Sequence, residues 1–140
     1  MNRNPLNAYH QTRVKTASQG RLIVMLYDEG IKQLDNACRE MEKPEKKLDV
    51  IHNSIVKTQD IVTELMASLD FEKGGEIAQN LYSLYMFFNQ QLLDANLQKT
   101  PEPLREIRTM LAELREAWAS IEGKAAGTQN QASLGVNIAG

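Results

Sequence analysis

The chain has 140 residues, 42% of them hydrophobic and 24% charged, with a formal net charge of −2. That suits one ordinary globular domain burying about two-thirds of its unfolded surface, and no apolar run approaches the ~20 residues needed to cross a bilayer. Arg3, Arg13, Lys15 and Arg21 stand before Asp28 with no acidic residue among them, so the remainder carries −6; four dispersed cations without interleaved aromatics argue against a nucleic-acid surface.

The start, Met1-Asn2-Arg3-Asn4-Pro5, lacks the apolar core of a secretory signal. Cys38 is the only cysteine, so no disulfide forms within the chain, and at helical spacing from Leu34 and Met41 it reads as a core residue. A cytoplasmic protein without membrane insertion is expected. Residues 1–17 form a basic N-terminal arm, expected to lie on an acidic surface of its own protein or to stay solvated.

Pro5, Pro44, Pro101, Pro103 and the Gly74-Gly75 pair divide the rest into long segments without the period-two pattern of strands. The first helix is predicted over 18–42. Ser18 is its N-cap, and Pro44 disfavours helical geometry in the residue before it. Ile23, Val24, Tyr27, Gly30, Ile31, Leu34, Cys38 and Met41 form its main stripe. Leu22, Met25 and Leu26 lie off that stripe, so its first two turns are apolar nearly all round.

The second helix is predicted over 45–69, with Leu48, Ile51, Ile55, Thr58, Val62, Leu65 and Leu69 alternating by three and four, as a packing seam does. The double glycine is expected to close it. A third helix follows over 75–97. Ile77, Leu81, Leu84, Tyr85, Phe88, Leu92 and Ala95 share a stripe ~100° wide. Tyr82, Met86 and Leu93 form a second stripe, which calls for either a neighbouring helix or another protein.

A fourth helix over 101–122 turns Leu104, Ile107, Met110, Leu111, Leu114, Trp118 and Ile121 one way. Arg105, Arg108, Glu113, Arg115 and Glu116 face the other. After it, residues 123–140 are small and polar without a periodic face, and a disordered tail is expected. Four helices of similar length joined by short turns predict an all-α, antiparallel up-down-up-down four-helix bundle.

Bundles of this kind can carry di-metal sites, but the nearest match, Asp49-Val50-Ile51-His52, occurs once and supplies too few ligands. Others carry a phosphorylated histidine. His52 flanks the seam, yet Asn53-Ser54-Ile55-Val56-Lys57 does not match the residues that follow such a histidine. Gly74-Gly75 is no phosphate loop, lacking a preceding strand and a Gly-Lys-Ser/Thr. Neither His10 nor His52 forms a catalytic pairing, so neither an enzyme nor a cofactor is expected.

Several short blocks, in order, resemble the flagellin export chaperones of the FliS type across about residues 5 to 121. They are Ala8-Tyr9, Thr16-Ala17-Ser18, Leu22-Ile23-Val24-Met25-Leu26-Tyr27-Asp28, Leu69-Asp70-Phe71-Glu72-Lys73-Gly74-Gly75-Glu76, Leu84-Tyr85, Asn96 after Leu92 and Leu93, and Ala117-Trp118. Gln19, where the family often has proline, and the Pro101/Pro103 turn are departures. The resemblance implies a chaperone that holds the C-terminal segment of flagellin in the cytoplasm, prevents premature polymerisation and helps deliver it to the flagellar export gate.

The candidate flagellin groove is Leu22, Met25, Leu26, Tyr82, Met86 and Leu93; its methionines are adaptable and its pattern suits helix-in-groove binding. By position, Leu6, Tyr9 and Val14 take the family's role of an arm covering that groove until flagellin displaces it. A monomer is expected. The alternatives are a phosphotransfer bundle using His52 and a generic adaptor for another amphipathic segment.

Overall fold

The computed structural model describes residues 18–125; the calls on the arm residues Leu6, Tyr9 and Val14, and on the tail beyond 125, lie outside the described residues. The described chain is four helices: α1 (Gln19–Met41), α2 (Leu48–Ala67), α3 (Phe71–Gln98) and α4 (Glu102–Ala125). They form the expected all-α antiparallel bundle. α1 is its spine, packing broadly on α2 and α4, whereas α3 leans on α2 and touches α4 more thinly.

Local chemistry sets the helix ends. Ser18 Oγ accepts from Arg21 N at 3.2 Å, capping α1, and donates to the Glu122 carboxylate at 3.1 Å. α2 has no side-chain cap of its own. Instead Glu40, buried near the end of α1, accepts from Lys47 N at 2.8 Å and from the Lys43 ammonium at 3.0 Å. Those two donors explain how a carboxylate is tolerated there, and they hold its pKa below the usual carboxylate value, the backbone bond contributing most.

Antiparallel register is written in cross-helix pairs. Asp28 and Asp35 of α1 and its C-cap Glu42 stand seven residues apart, and they meet Arg115, Arg108 and Arg105 of α4 at 2.8, 3.0 and 3.0 Å. Exposed pairs of this kind contribute little each, but a ladder matches only one alignment. Gly30 lets both neighbours come close: a Cβ there would lie 3.3 Å from Leu111 and 3.6 Å from Ile61.

The core follows the predicted seams. Tyr27, Leu34, Ile51, Ile55, Val62, Leu65, Tyr85, Phe88, Leu92, Leu104, Ile107, Leu111 and Trp118 are buried in one cluster. Inside it the Tyr27 hydroxyl bonds the Tyr85 hydroxyl. Burial pushes both phenols up, Tyr85 to about 12. Cys38 is half-buried against this cluster, and its thiol is pushed up by the same cause.

Several boundaries differ from expectation. α2 ends at Ala67, where Ser68 Oγ bonds back to Leu65 O at 2.7 Å. Asp70 then caps α3 by accepting from Lys73 N at 3.0 Å. The double glycine therefore does not close α2; it lies inside α3, where Gly75 breaks the helix at φ 52, ψ −123. Leu48, placed on the seam, is exposed, because the first residue of a helix has no preceding turn to cover it. Ile77 is exposed as well, its core position being taken by Ala78. α4 runs through Gly123 to Ala125, past the expected end.

Candidate partner-binding face

α3 holds nearly all the exposed large apolar side chains of the described residues: Phe71, Ile77, Tyr82, Met86, Phe87, Leu93 and Leu97, with Leu48 on α2 as the exception. Its buried side is Ala78, Tyr85, Phe88, Leu92 and Ala95. At 100° per residue, Tyr82, Leu93, Met86 and Leu97 fall together about a quarter- to a third-turn from the centre of that side. Asn89 and Asn96 occupy the strip between. Asn89 Nδ2 meets Thr63 Oγ1 at 3.5 Å, and Asn96 Nδ2 meets His52 Nδ1 at 2.9 Å. These bridges put the apolar stripe on the α2 side of α3. Ile77, Leu84 and Phe87 lie on the opposite flank.

The break at Gly75 extends the stripe. In a continuous helix Phe71 and Tyr82 would be separated by ~16 Å along the axis, yet their ring centroids are 5.8 Å apart at an interplanar angle of 70°. Edge-on aromatic pairs of this geometry are favourable beyond their buried area. Folding the first turn back thus brings Phe71, 47% exposed, beside Tyr82, 40% exposed.

Of the six groove residues expected, Tyr82, Met86 and Leu93 are exposed, and Met25 is half-buried. Leu22 and Leu26 are each 1% exposed. That part of the expectation is corrected for Leu26, which is buried in the core cluster; Leu22 is equally covered in the free chain. Leu26 borders a cleft of about 480 Å³ between the start of α1 and the α2–α3 turn, shared with Ile23, Glu64, Asp70 and Phe71. Phe71 therefore joins this cleft to the stripe. Phe71 and Leu97 escaped the sequence reading. Leu97 follows Leu93 by one helical turn, a signal that was present; Phe71 depends on the kink, which gave none.

Each of Phe71, Tyr82, Met86, Leu93 and Leu97 keeps 40–76% of its surface exposed. Full burial of such a side chain is worth roughly 1.5–3 kcal/mol, so covering the remainder of all five offers about 4–8 kcal/mol before the cost of ordering a partner. An elongated, helix-length stripe of this composition fits an amphipathic helix better than a small molecule. His52 at its edge is exposed, with Nδ1 engaged by Asn96. Among the described residues no three metal-ligating side chains cluster, and no helix is long and apolar enough to cross a membrane.

Comparison with known proteins gives a consistent answer. Residues 2–125 match the family model described as flagellar protein FliS. The chain is 36% identical over 127 residues to the flagellar secretion chaperone FliS of Salmonella typhimurium strain LT2, covering 86% of this chain and 91% of that protein. It is 28% identical over 115 residues to the flagellar secretion chaperone FliS of Bacillus subtilis strain 168, covering 82% and 84%. With the flagellar secretion chaperone FliSB of Pseudomonas aeruginosa strain PAO1 it shares 33% identity over 114 residues, covering 79% and 86%.

Proposed function

Since the chain belongs to the flagellar protein FliS family, we propose that it is a cytoplasmic, non-enzymatic secretion chaperone that binds the C-terminal segment of flagellin along α3. The supporting observation is the exposed stripe of Tyr82, Met86, Leu93 and Leu97, extended by Phe71. A flagellin segment that folds into an amphipathic helix on this stripe would bury its own apolar face there. Held this way it is kept from polymerising and can be carried to the flagellar export gate. The arm bearing Leu6, Tyr9 and Val14 competes for the same surface, so flagellin must displace it.

Titration calorimetry with a flagellin C-terminal peptide tests the reading. Met86→Asp and Leu93→Asp each place a carboxylate against the docked helix, at about 1–3 kcal/mol, and should weaken binding several-fold to a hundred-fold or more. Both side chains are half exposed in the free protein, so both variants should retain native helicity and cooperative melting. Deleting residues 1–15 should tighten or speed binding. Variants that fold and bind like the wild type would reject the stripe as the flagellin face.

A further inference from the structure

The candidate face is not uniformly apolar, and its polar members are regularly spaced. Tyr82, Met86, Asn89, Leu93 and Asn96 follow one another at intervals of four, three, four and three, the seam that a helix turns toward a helical partner. On α2, His52, Val56, Gln59, Thr63 and Met66 repeat the same intervals. The bridges from Asn96 to His52 and from Asn89 to Thr63 join the two seams edge to edge. A helix docked on α3 therefore meets apolar side chains at Met86 and Leu93, with asparagines between and beyond them at Asn89 and Asn96.

The two asparagines differ in what they have left to offer. Asn96 is engaged at both ends of its amide, with Nδ2 2.9 Å from His52 Nδ1 and Oδ1 2.7 Å from Lys99 Nζ. Asn89 is not. Its Nδ2 makes only the 3.5 Å contact to Thr63 Oγ1, longer than a good hydrogen bond, and its Oδ1 is buried without a partner. Among the described residues no other side-chain nitrogen or oxygen is in that condition. Turning the amide over exchanges its two ends but still leaves one of them unpaired. α3 carries no charged side chain from Ile77 to Leu93, and burying a charge here under a docked helix would be costly. The complement of Asn89 is therefore uncharged.

We propose that Asn89 is the specificity residue of this face: it selects, and sets the register of, a flagellin helix that carries an amide or hydroxyl side chain within its apolar stripe. This deepens the reading of α3 as the flagellin face and rests on it. Amides and hydroxyls both donate and accept, so either completes Asn89 whichever way its own amide is turned. The half-buried Asn89 side chain gives up only the long Thr63 contact to meet such a group. A partner with leucine at that position would seal an unpaired amide under apolar surface. Sliding the right partner by one turn would do the same, and would also press its polar group onto Met86 or Leu93. A single buried asparagine enforces register in coiled coils by the same double penalty.

Calorimetry of the full chain tests this with a flagellin C-terminal peptide and a series in which each Asn, Gln, Ser and Thr is changed in turn to leucine. One peptide of the series should bind the wild type about five- to fiftyfold more weakly than the parent. The same peptide should bind Asn89→Leu at least as well as the parent does, because two leucines then meet. Asn89→Ala removes the amide without adding bulk and should also erase the discrimination. The wild type gives a second reading that needs no variant: the side-chain NH2 resonances of Asn89 should shift when the parent peptide binds. An Asn89 amide that does not respond, or coupling below about twofold between Asn89 and every position of the series, would overturn the proposal while leaving the flagellin face standing. A wild type that binds no flagellin peptide would remove both together.

Discussion

Replacing Gly75 by alanine isolates a single physical cost. The residue sits at φ 52, ψ −123, and a Cβ built on it meets nothing within 4 Å. No neighbour clashes, so only the backbone objects. A residue with a Cβ held in such a region costs roughly 1–3 kcal/mol. Gly123 is the control: it also has nothing within 4 Å of a Cβ, but it lies inside the helix of α4. Alanine there should stabilise by about 0.5–1 kcal/mol through helix propensity. Two glycine-to-alanine changes in open space should thus have opposite signs. Urea denaturation followed by circular dichroism reads both. If Gly75→Ala relieves its strain by straightening the start of α3, the nuclear Overhauser contact between the Phe71 and Tyr82 rings should disappear. A Gly75→Ala protein as stable as the wild type, with that contact intact, would refute the reasoning.

Two further perturbations follow from buried polar groups. Tyr27→Phe should cost about 1–3 kcal/mol in denaturant titrations, because it leaves the buried Tyr85 hydroxyl without its partner. Both phenols are raised by burial, Tyr85 to about 12, so they stabilise the fold below the ordinary phenol value near ~10, and that contribution is lost as the pH rises toward 12; ultraviolet titration should find them silent until the protein unfolds. Glu40 behaves in the opposite sense. Its pKa is lowered by the Lys47 N–H and the Lys43 ammonium, so its contribution is present above the ordinary value of ~4.3 and lost as the pH falls. Glu40→Gln should flatten the decline of stability between about pH 5 and 3.

Repeating patterns made much of the fold legible. The three-four spacing from Ile51 to Leu65 and the stripe from Leu104 to Trp118 mark buried faces, and Ser18 marks the start of α1. The rest depends on partners that are distant in sequence. Asp28, Asp35 and Glu42 already show heptad spacing, but only α4 lying antiparallel gives Arg115, Arg108 and Arg105 to meet them. The double glycine reads as a helix end because glycine favours one; Asp70, capping α3 four residues earlier, wins because it satisfies a backbone N–H at once. The candidate face was half legible for a related reason. Periodicity separates two apolar stripes on α3 but cannot say which neighbour claims which. Leu26 looks surplus on α1 until the core cluster accounts for it.

Oxidative footprinting of the full chain, free and with a flagellin C-terminal segment bound, tests the central claim most directly. Tyr82, Met86, Phe71, Leu93 and Leu97 are exposed on the α2 side of α3, and Ile77 and Phe87 are exposed on the other flank. Binding should sharply reduce labelling of the first group, most visibly at Met86 and Tyr82, while Ile77 and Phe87 stay labelled. Protection of Ile77 and Phe87 with Tyr82 and Met86 still open would contradict it.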